Sequence, residues 1–185
     1  MRIMRKWKLG RGAVDCHVHL ADPRFGEGLS GVLARARAAG IDNFSLAGVD
    51  PEDWVRAEKL TMEEEGLFPS FGLHPYFISK TPEAGCEAAM ALLSTMLPNA
   101  LALGECGLDF RKQWLGEEAA KIKAKQGLFF EQQLILASQM GKVPVLHVVR
   151  AHAEALAFLR NPPPRGYLLH SFHAELETSR RHLDR

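Results

Sequence analysis

The stretch Asp15-Cys16-His17-Val18-His19-Leu20 places two histidines inside an apolar run that predicts a buried β-strand. Residues two apart in a strand point to the same side, so His17 and His19 present two imidazoles on one face. Imidazole is a preferred ligand of zinc and of other divalent transition metals. Taken alone, such a pair also fits exposed or hydrogen-bonded histidines, so the rest of the chain decides between these interpretations.

The composition is that of a single globular domain covering residues 1–185. Apolar residues make up 46% of the chain and charged residues 24%, with a formal net charge of +1, which is ordinary for a folded domain. The net charge therefore does not by itself predict a nucleic-acid partner, and a polyanion would have to bind at a local basic patch.

Cysteine usage and hydropathy predict the compartment. Three cysteines without a paired spacing give no disulfide framework and favour a reducing compartment. No apolar segment of the signal-peptide kind follows the basic residues 1–12, and no apolar run approaches the length that spans a bilayer. We expect a cytoplasmic protein that has no signal peptide and does not contact a membrane.

Apolar runs alternate with helix-forming segments six times along the chain. This alternation predicts an α/β fold with one parallel sheet, whose apolar strands are those expected when both faces are covered. A doubly wound open sheet and a (β/α)₈ barrel both remain open, although no glycine-rich phosphate loop follows the first strand, which argues against a nucleotide-binding open sheet. The predicted strands are residues 13–20, 43–49, 67–73, 100–103, 143–149 and 167–172, and the predicted helices are residues 28–39, 51–65, 81–97, 117–140, 151–159 and 176–184.

Polar residues fall at the carboxyl ends of the predicted strands, the edge where active sites form in parallel α/β folds. Five of them are potential metal ligands, and they are accompanied by no cysteine cluster of the structural-zinc kind. The set predicts a catalytic site for one or two ions, with Glu105 able to bridge them. The five are His17, His19, Glu105, His147 and His170; Asp50, His74 and Arg150 lie at the same edge.

Four further residues near these ligands have more than one interpretation. Cys16 and Cys106 point away from the neighbouring ligands in a regular strand, so we expect them to be small buried residues. Asp109 fits either an acid that orients a liganding histidine or a loop residue at the start of a helix. His74, before a proline, fits either a turn or the site.

Six segments, in order and spread over residues 13–173, resemble the TatD family of metal-dependent hydrolases and deoxyribonucleases, within the amidohydrolase-like barrels. The Gly-Glu-x-Gly-Leu-Asp-Phe piece together with His-x-His is the most specific part. The segments are Asp15-Cys16-His17-Val18-His19-Leu20, Gly72-Leu73-His74-Pro75, Gly104-Glu105-Cys106-Gly107-Leu108-Asp109-Phe110, the helix residues Gln126, Phe130, Gln133, Leu134, Leu136 and Ala137, Pro144-Val145-Leu146-His147, and His170-Ser171-Phe172.

The resemblance implies a TIM-like (β/α) barrel and a two-metal hydrolase of phosphodiester bonds. The expected substrate is DNA, single-stranded or at 3′ ends, with 3′-exonuclease activity and Mg²⁺, Mn²⁺ or Zn²⁺ as the ions. Glu105 and His74 would be catalytic, and His74 and Arg150 would contact the substrate phosphate. The family often has one residue between the histidine at the position of His147 and this arginine, whereas this chain has two. The first ion would be bound by His17, His19 and Glu105, and the second by Glu105, His147 and His170.

The chain departs from the family at its end. An eight-unit barrel needs about 250 residues, and this chain holds only about six of the eight βα units, without the late-strand aspartate that completes the first metal site in the family. The missing strands would leave two sheet edges unpaired. Either a second chain covers these edges, or the sheet stays open, or the chain is part or an alternative product of a longer gene. Two alternatives to an active nuclease follow: a metal-binding but catalytically poor product, and a hydrolase of small esters or amides with the same fold.

Overall fold

In a computed structural model that describes residues 10–184, six parallel strands form one sheet in the order of the chain. A doubly wound sheet reverses its strand order at a switch point, whereas each strand here is followed by its neighbour, as in a barrel. The strands are β1 (Ala13–Val18), β2 (Ile41–Gly48), β3 (Leu67–Phe71), β4 (Ala102–Asp109), β5 (Pro144–Val149) and β6 (Leu168–Leu169).

The sheet curls so that its first and last strands approach each other at their carboxyl ends. The rings of His17, on β1, and His170, just after β6, are stacked with 3.8 Å between their centroids. No hydrogen-bonded ladder joins β1 to β6 within the described part of the chain. The fold is therefore a TIM-like (β/α) barrel with about six of its eight units present, and the prediction of this fold class is confirmed.

Helices connect consecutive strands, and two of them are absent from the sequence-based prediction. Within residues 10–184, no helix is long and apolar enough to cross a bilayer, and the basic segment before residue 10 lies outside the described residues. The helices are α1 (Leu29–Ala38), α2 (Pro51–Glu63), α3 (Pro75–Lys80), α4 (Glu83–Met96), α5 (Lys112–Leu115), α6 (Ala119–Gln139), α7 (His152–Phe158) and α8 (Leu176–Leu183), with 3₁₀ turns at Pro23–Gly28 and Leu97–Asn99.

Strand β4 is longer than predicted because its two glycines are strand residues rather than turn residues. At Gly107 the backbone has φ 143°, and an added Cβ would lie 2.0 Å from the carbonyl oxygen of His147. A Cβ on Gly104 would lie 2.6 Å from the carbonyl oxygen of Val145. Glycine at these positions lets β4 run close beside β5, which brings Glu105 and His147 together. In contrast, β6 has two residues where residues 167–172 were predicted.

The core lies between the sheet and its helices, and it covers the central strands better than the first one. Trp54, Phe71 and Phe130 are completely buried, as is Cys106. Cys16 is exposed, so the prediction that it is buried is wrong. The reason is that β1 is an edge strand of this sheet, in which three of six residues are exposed and none is buried, whereas every residue of β4 is buried.

Two buried glutamines of α6 attach this helix to the ends of β3 and β4. Gln133 accepts the N–H of Leu73 at 2.7 Å and donates to its carbonyl oxygen at 3.2 Å. Gln126 does the same for Asp109, at 2.9 Å and 3.2 Å. Each side-chain amide thus replaces a missing peptide partner, which matters because buried backbone groups without partners are costly. These bonds fix the backbone at Asp109 and at Leu73, and thereby help to position His74, the residue after Leu73.

We predict that Gln133→Leu destabilises the protein by about 2–4 kcal/mol, because it leaves the N–H and carbonyl groups of Leu73 buried without partners. Leucine has a similar volume, so the loss of hydrogen bonds dominates over any cavity. Urea unfolding followed by circular dichroism measures the free energy of unfolding. Gln132→Leu, at the exposed neighbouring position of the same helix, is the control, and equal unfolding midpoints for the two variants would contradict the assignment.

Candidate metal centre

The carboxylate of Glu105 lies at the centre of a cluster of histidines. Glu105 is on β4 and only 2% exposed. The imidazoles come from β1, the residue after β1, the segment after β6, the residue before α3, and β5, so the curled sheet is what assembles them. To Oε1, the distances are 2.8 Å from His147 Nδ1, 2.7 Å from His170 Nε2 and 3.5 Å from His74 Nε2; to Oε2, they are 3.5 Å from both His17 Nε2 and His19 Nε2.

Glu105 is ionised in this environment. Burial on its own would raise the pKa of the Glu105 carboxyl, but the surrounding imidazoles outweigh burial and hold this pKa far below its usual range. The effect comes from His147, His17, His170 and His74. The cluster is therefore built around a negative charge, and a buried negative charge requires positive or donating groups close to it.

Three atoms of this cluster are buried and have no hydrogen-bond partner among residues 10–184. They are Nε2 of His17, Nε2 of His170 and Oε2 of Glu105. His170 Nε2 is 2.7 Å from Glu105 Oε1, but the angles at the two atoms do not form a hydrogen bond. Buried polar atoms nearly always have a partner, and imidazole nitrogens and a carboxylate oxygen are suitable ligands for a divalent ion. The donor set therefore fits a metal centre.

Ligand atoms converge in two groups around Glu105. In each group, the potential ligand atoms lie within 4.8 Å of one another. The first group, His17, His19 and Glu105, is the set expected for the first ion. The second group contains His74, Glu105 and His147, while His170, expected in this set, is stacked on His17 and contacts the same carboxylate.

The hydrogen bonds of His74 make it a donor rather than a ligand. Its Nδ1 accepts the backbone N–H of Tyr76 at 2.9 Å, which caps α3. Burial lowers the pKa of His74 despite the neighbouring Glu105 carboxylate, so the ring is neutral at neutral pH. A neutral imidazole with an accepting Nδ1 carries its proton on Nε2, and Nε2 faces Glu105 at 3.5 Å. Such a nitrogen donates a proton or hydrogen bond and has no lone pair for a metal.

Asp109 orients the ring of His147. Its Oδ2 lies 3.1 Å from His147 Nε2, which leaves Nδ1 of the same ring facing Glu105. Arg111 holds the Asp109 carboxylate with its guanidinium and its backbone N–H. Burial would raise the pKa of Asp109, but His147 and Arg111 outweigh it and hold that pKa below its usual range. A carboxylate behind a histidine is the usual arrangement around a metal ligand.

An open cavity of about 720 Å³ adjoins the cluster. Arg150, the expected contact of the substrate phosphate, is exposed directly after β5, has φ 54°, and does not line this cavity. The walls of the cavity instead contain residues that the sequence analysis did not single out. They lie on the unpredicted helices α3 and α5, on α2, and on the 3₁₀ turn Pro23–Gly28. The proline directly after His74 is a common first residue of a helix and was the available signal for α3. The missed cations and aromatic residues are Arg24, Arg56, Lys80, Tyr76, Phe77 and Trp114.

Comparison with known proteins gives consistent matches. The 3'-5' ssDNA/RNA exonuclease TatD of Edwardsiella piscicida is 33% identical over 166 residues, which cover 86% of this chain and 59% of that protein. The protein of the same name from Klebsiella pneumoniae (strain 342) is 31% identical over 160 residues, covering 85% of this chain and 58% of its own length. The crystal structure of YjjV, a TatD homolog from Escherichia coli K12, superposes with a TM-score of 0.80 at 25% identity, covering 92% of this chain and 64% of that one.

The chain thus spans a little less than two thirds of these relatives. The family model described as TatD related DNase matches residues 14–185, which is nearly the whole chain, and the matched region contains every residue of the Glu105 cluster. The chain belongs to the TatD related DNase family.

Proposed function

We propose that this chain is a divalent-metal-dependent hydrolase of phosphodiester bonds, acting as a 3′-exonuclease on single-stranded DNA. The observation that carries the proposal is the buried Glu105 carboxylate facing five imidazoles, with three buried atoms that no group in the described part of the chain satisfies. The relatives named 3'-5' ssDNA/RNA exonucleases support nucleic acid as the substrate class.

Two ions are proposed to share Glu105. The first would be held by His17, His19 and Glu105, and the second by Glu105, His147 and His170, with Asp109 fixing the His147 ring. Bound divalent ions supply an activated water and neutralise charge that develops at the phosphate. The abundance of imidazole favours Mn²⁺ or Zn²⁺ over Mg²⁺, which prefers oxygen ligands.

His74 is proposed to act on the substrate rather than on the metal. Its Nε2–H faces the cluster, where it can donate to an oxygen of the phosphate group as negative charge develops there. Because Arg150 lies outside the cavity, we assign the cationic contact with the phosphate backbone to Lys80, which lines the cavity.

We predict that purified protein with Mn²⁺ or Mg²⁺ releases nucleotides from single-stranded DNA, and that Glu105→Gln lowers the rate by about a thousand-fold or more, because loss of metal-bound stabilisation costs several kcal/mol. Glu118→Gln, at an exposed position, is the control. Equal rates for Glu105→Gln and the unmodified protein would contradict the proposal. Metal binding without hydrolysis would favour the catalytically poor alternative, and turnover of small esters but not DNA would favour the ester hydrolase.

We predict that His74→Asn lowers kcat by roughly a hundred-fold, the usual effect of removing one donor to a developing negative charge, while leaving the number of bound ions unchanged. Asparagine retains a side-chain acceptor at the start of α3 and so preserves the cap. Steady-state kinetics and elemental analysis of the purified variant measure the two quantities. A loss of one ion from the variant would show that His74 is a ligand instead.

A further inference from the structure

The cavity beside the metal centre has an aromatic wall that the proposed chemistry does not use. Tyr76, on α3, and Trp114, on α5, both line it. Their rings meet edge to face, with 4.7 Å between centroids and 69° between planes, and Tyr76 remains 46% exposed. A large aromatic side chain left exposed inside a cavity is suited to stacking against a flat ligand.

Trp114 adds a hydrogen-bond donor to this wall. Its Nε1–H is buried and has no partner in the described part of the chain. Buried indole N–H groups usually find an acceptor. Trp114 lines the cavity but its Nε1 is covered, so an occupant supplies that acceptor when the indole turns towards the cavity. An occupant that presents both a flat face and acceptor atoms satisfies the two residues together.

Non-covalent contacts connect both aromatic residues to side chains of the metal centre. The backbone N–H of Tyr76 donates to His74. The Arg111 guanidinium lies 5.3 Å from the centre of the Trp114 ring and binds Asp109, which orients His147. The aromatic wall is therefore held in a fixed position beside the cluster. A subsite that binds the part of a substrate next to its reacting group needs such a fixed position.

The cavity is lined by carboxylates (Asp22, Asp50, Asp53 and Glu105) as well as by cations, but the cation beside the aromatic wall suits an anion there. Lys80 is four residues after Tyr76 and so lies on the same face of α3, and it forms no ion pair within residues 10–184. The guanidinium groups of Arg24 and Arg56, in contrast, are paired with Asp22 and Asp53. A free cation, a stacking surface and a donor together match a nucleotide.

We propose that Tyr76 and Trp114 bind the nucleobase of the nucleotide whose phosphate reaches the metal centre, with the base stacked on Tyr76 and an acceptor atom of the base bonded to Trp114 Nε1. The inference rests on the proposed function and specifies its substrate. A base that stacks on Tyr76 while Trp114 Nε1 engages an acceptor on its edge is drawn away from its pairing partner, so we expect the subsite to favour single strands and frayed 3′ ends.

The test compares two short single-stranded oligonucleotides that differ only in the 3′-terminal residue, thymidine in one and an abasic tetrahydrofuran in the other. Binding is measured by fluorescence anisotropy in Mn²⁺, with phosphorothioate linkages at the 3′ end of both oligonucleotides, so that affinity is read without hydrolysis. We expect the unmodified protein to bind the thymidine form about ten-fold more tightly, in line with the stacking of one base on an aromatic ring. Tyr76→Ala should remove this preference by weakening only the thymidine form, and Tyr76→Phe should keep it.

Two further variants complete the test. Trp114→Phe keeps a ring and removes the donor, so it should weaken binding of the thymidine form several-fold and leave the abasic form unchanged. Leu92→Ala, a similarly exposed apolar side chain on α4 outside the cavity, should change neither. Circular dichroism checks that each variant is folded.

Three results would overturn the inference: no preference in the unmodified protein, no measurable binding of either oligonucleotide, or an equal loss for both forms in Tyr76→Ala. The outcome is separable from that of the proposed function. Metal-dependent cleavage with a base preference that survives Tyr76→Ala would refute the subsite alone. Absence of cleavage with a preference that depends on Tyr76 would refute the nuclease alone.

Discussion

The carboxylate of Glu105 is buried at the carboxyl edge of the sheet, and a charge in such a place is stable only when compensating groups surround it. Five imidazoles supply that compensation, and they reach Glu105 only because the six strands curl in chain order. The rings of His17 and His170 stack where the two ends of the sheet meet at this site. The geometry of the metal centre therefore depends directly on the curvature of the sheet.

Helix α6 connects the stability of the fold to the shape of the site. Gln126 and Gln133 are seven residues apart, on one face of the helix, and bind the backbone at Asp109 and Leu73. Asp109 is the acid that orients His147, and Leu73 directly precedes the donor His74. A change in α6 would therefore move side chains around Glu105 without touching any of them directly.

Strand–helix alternation and the polar residues at strand ends were enough to predict the parallel sheet and the residues that meet at Glu105. The short helices α3 and α5 escaped prediction because six and four residues are too few to show helical periodicity. The length of β4 was hidden by glycines that resemble turn residues. Tyr76, Lys80 and Trp114 had no signal because their roles depend on which cavity those short helices face, and Cys16 is exposed because β1 is an edge strand.

The central claim is that the cluster around Glu105 holds divalent ions. The most direct measurement is anomalous diffraction from crystals grown with Mn²⁺. We expect an anomalous peak at coordination distance from Glu105 and from the imidazoles of His17 and His19, with a second peak shared by Glu105 and His147. Ordered crystals in Mn²⁺ with no anomalous peak in contact with Glu105 would contradict the account.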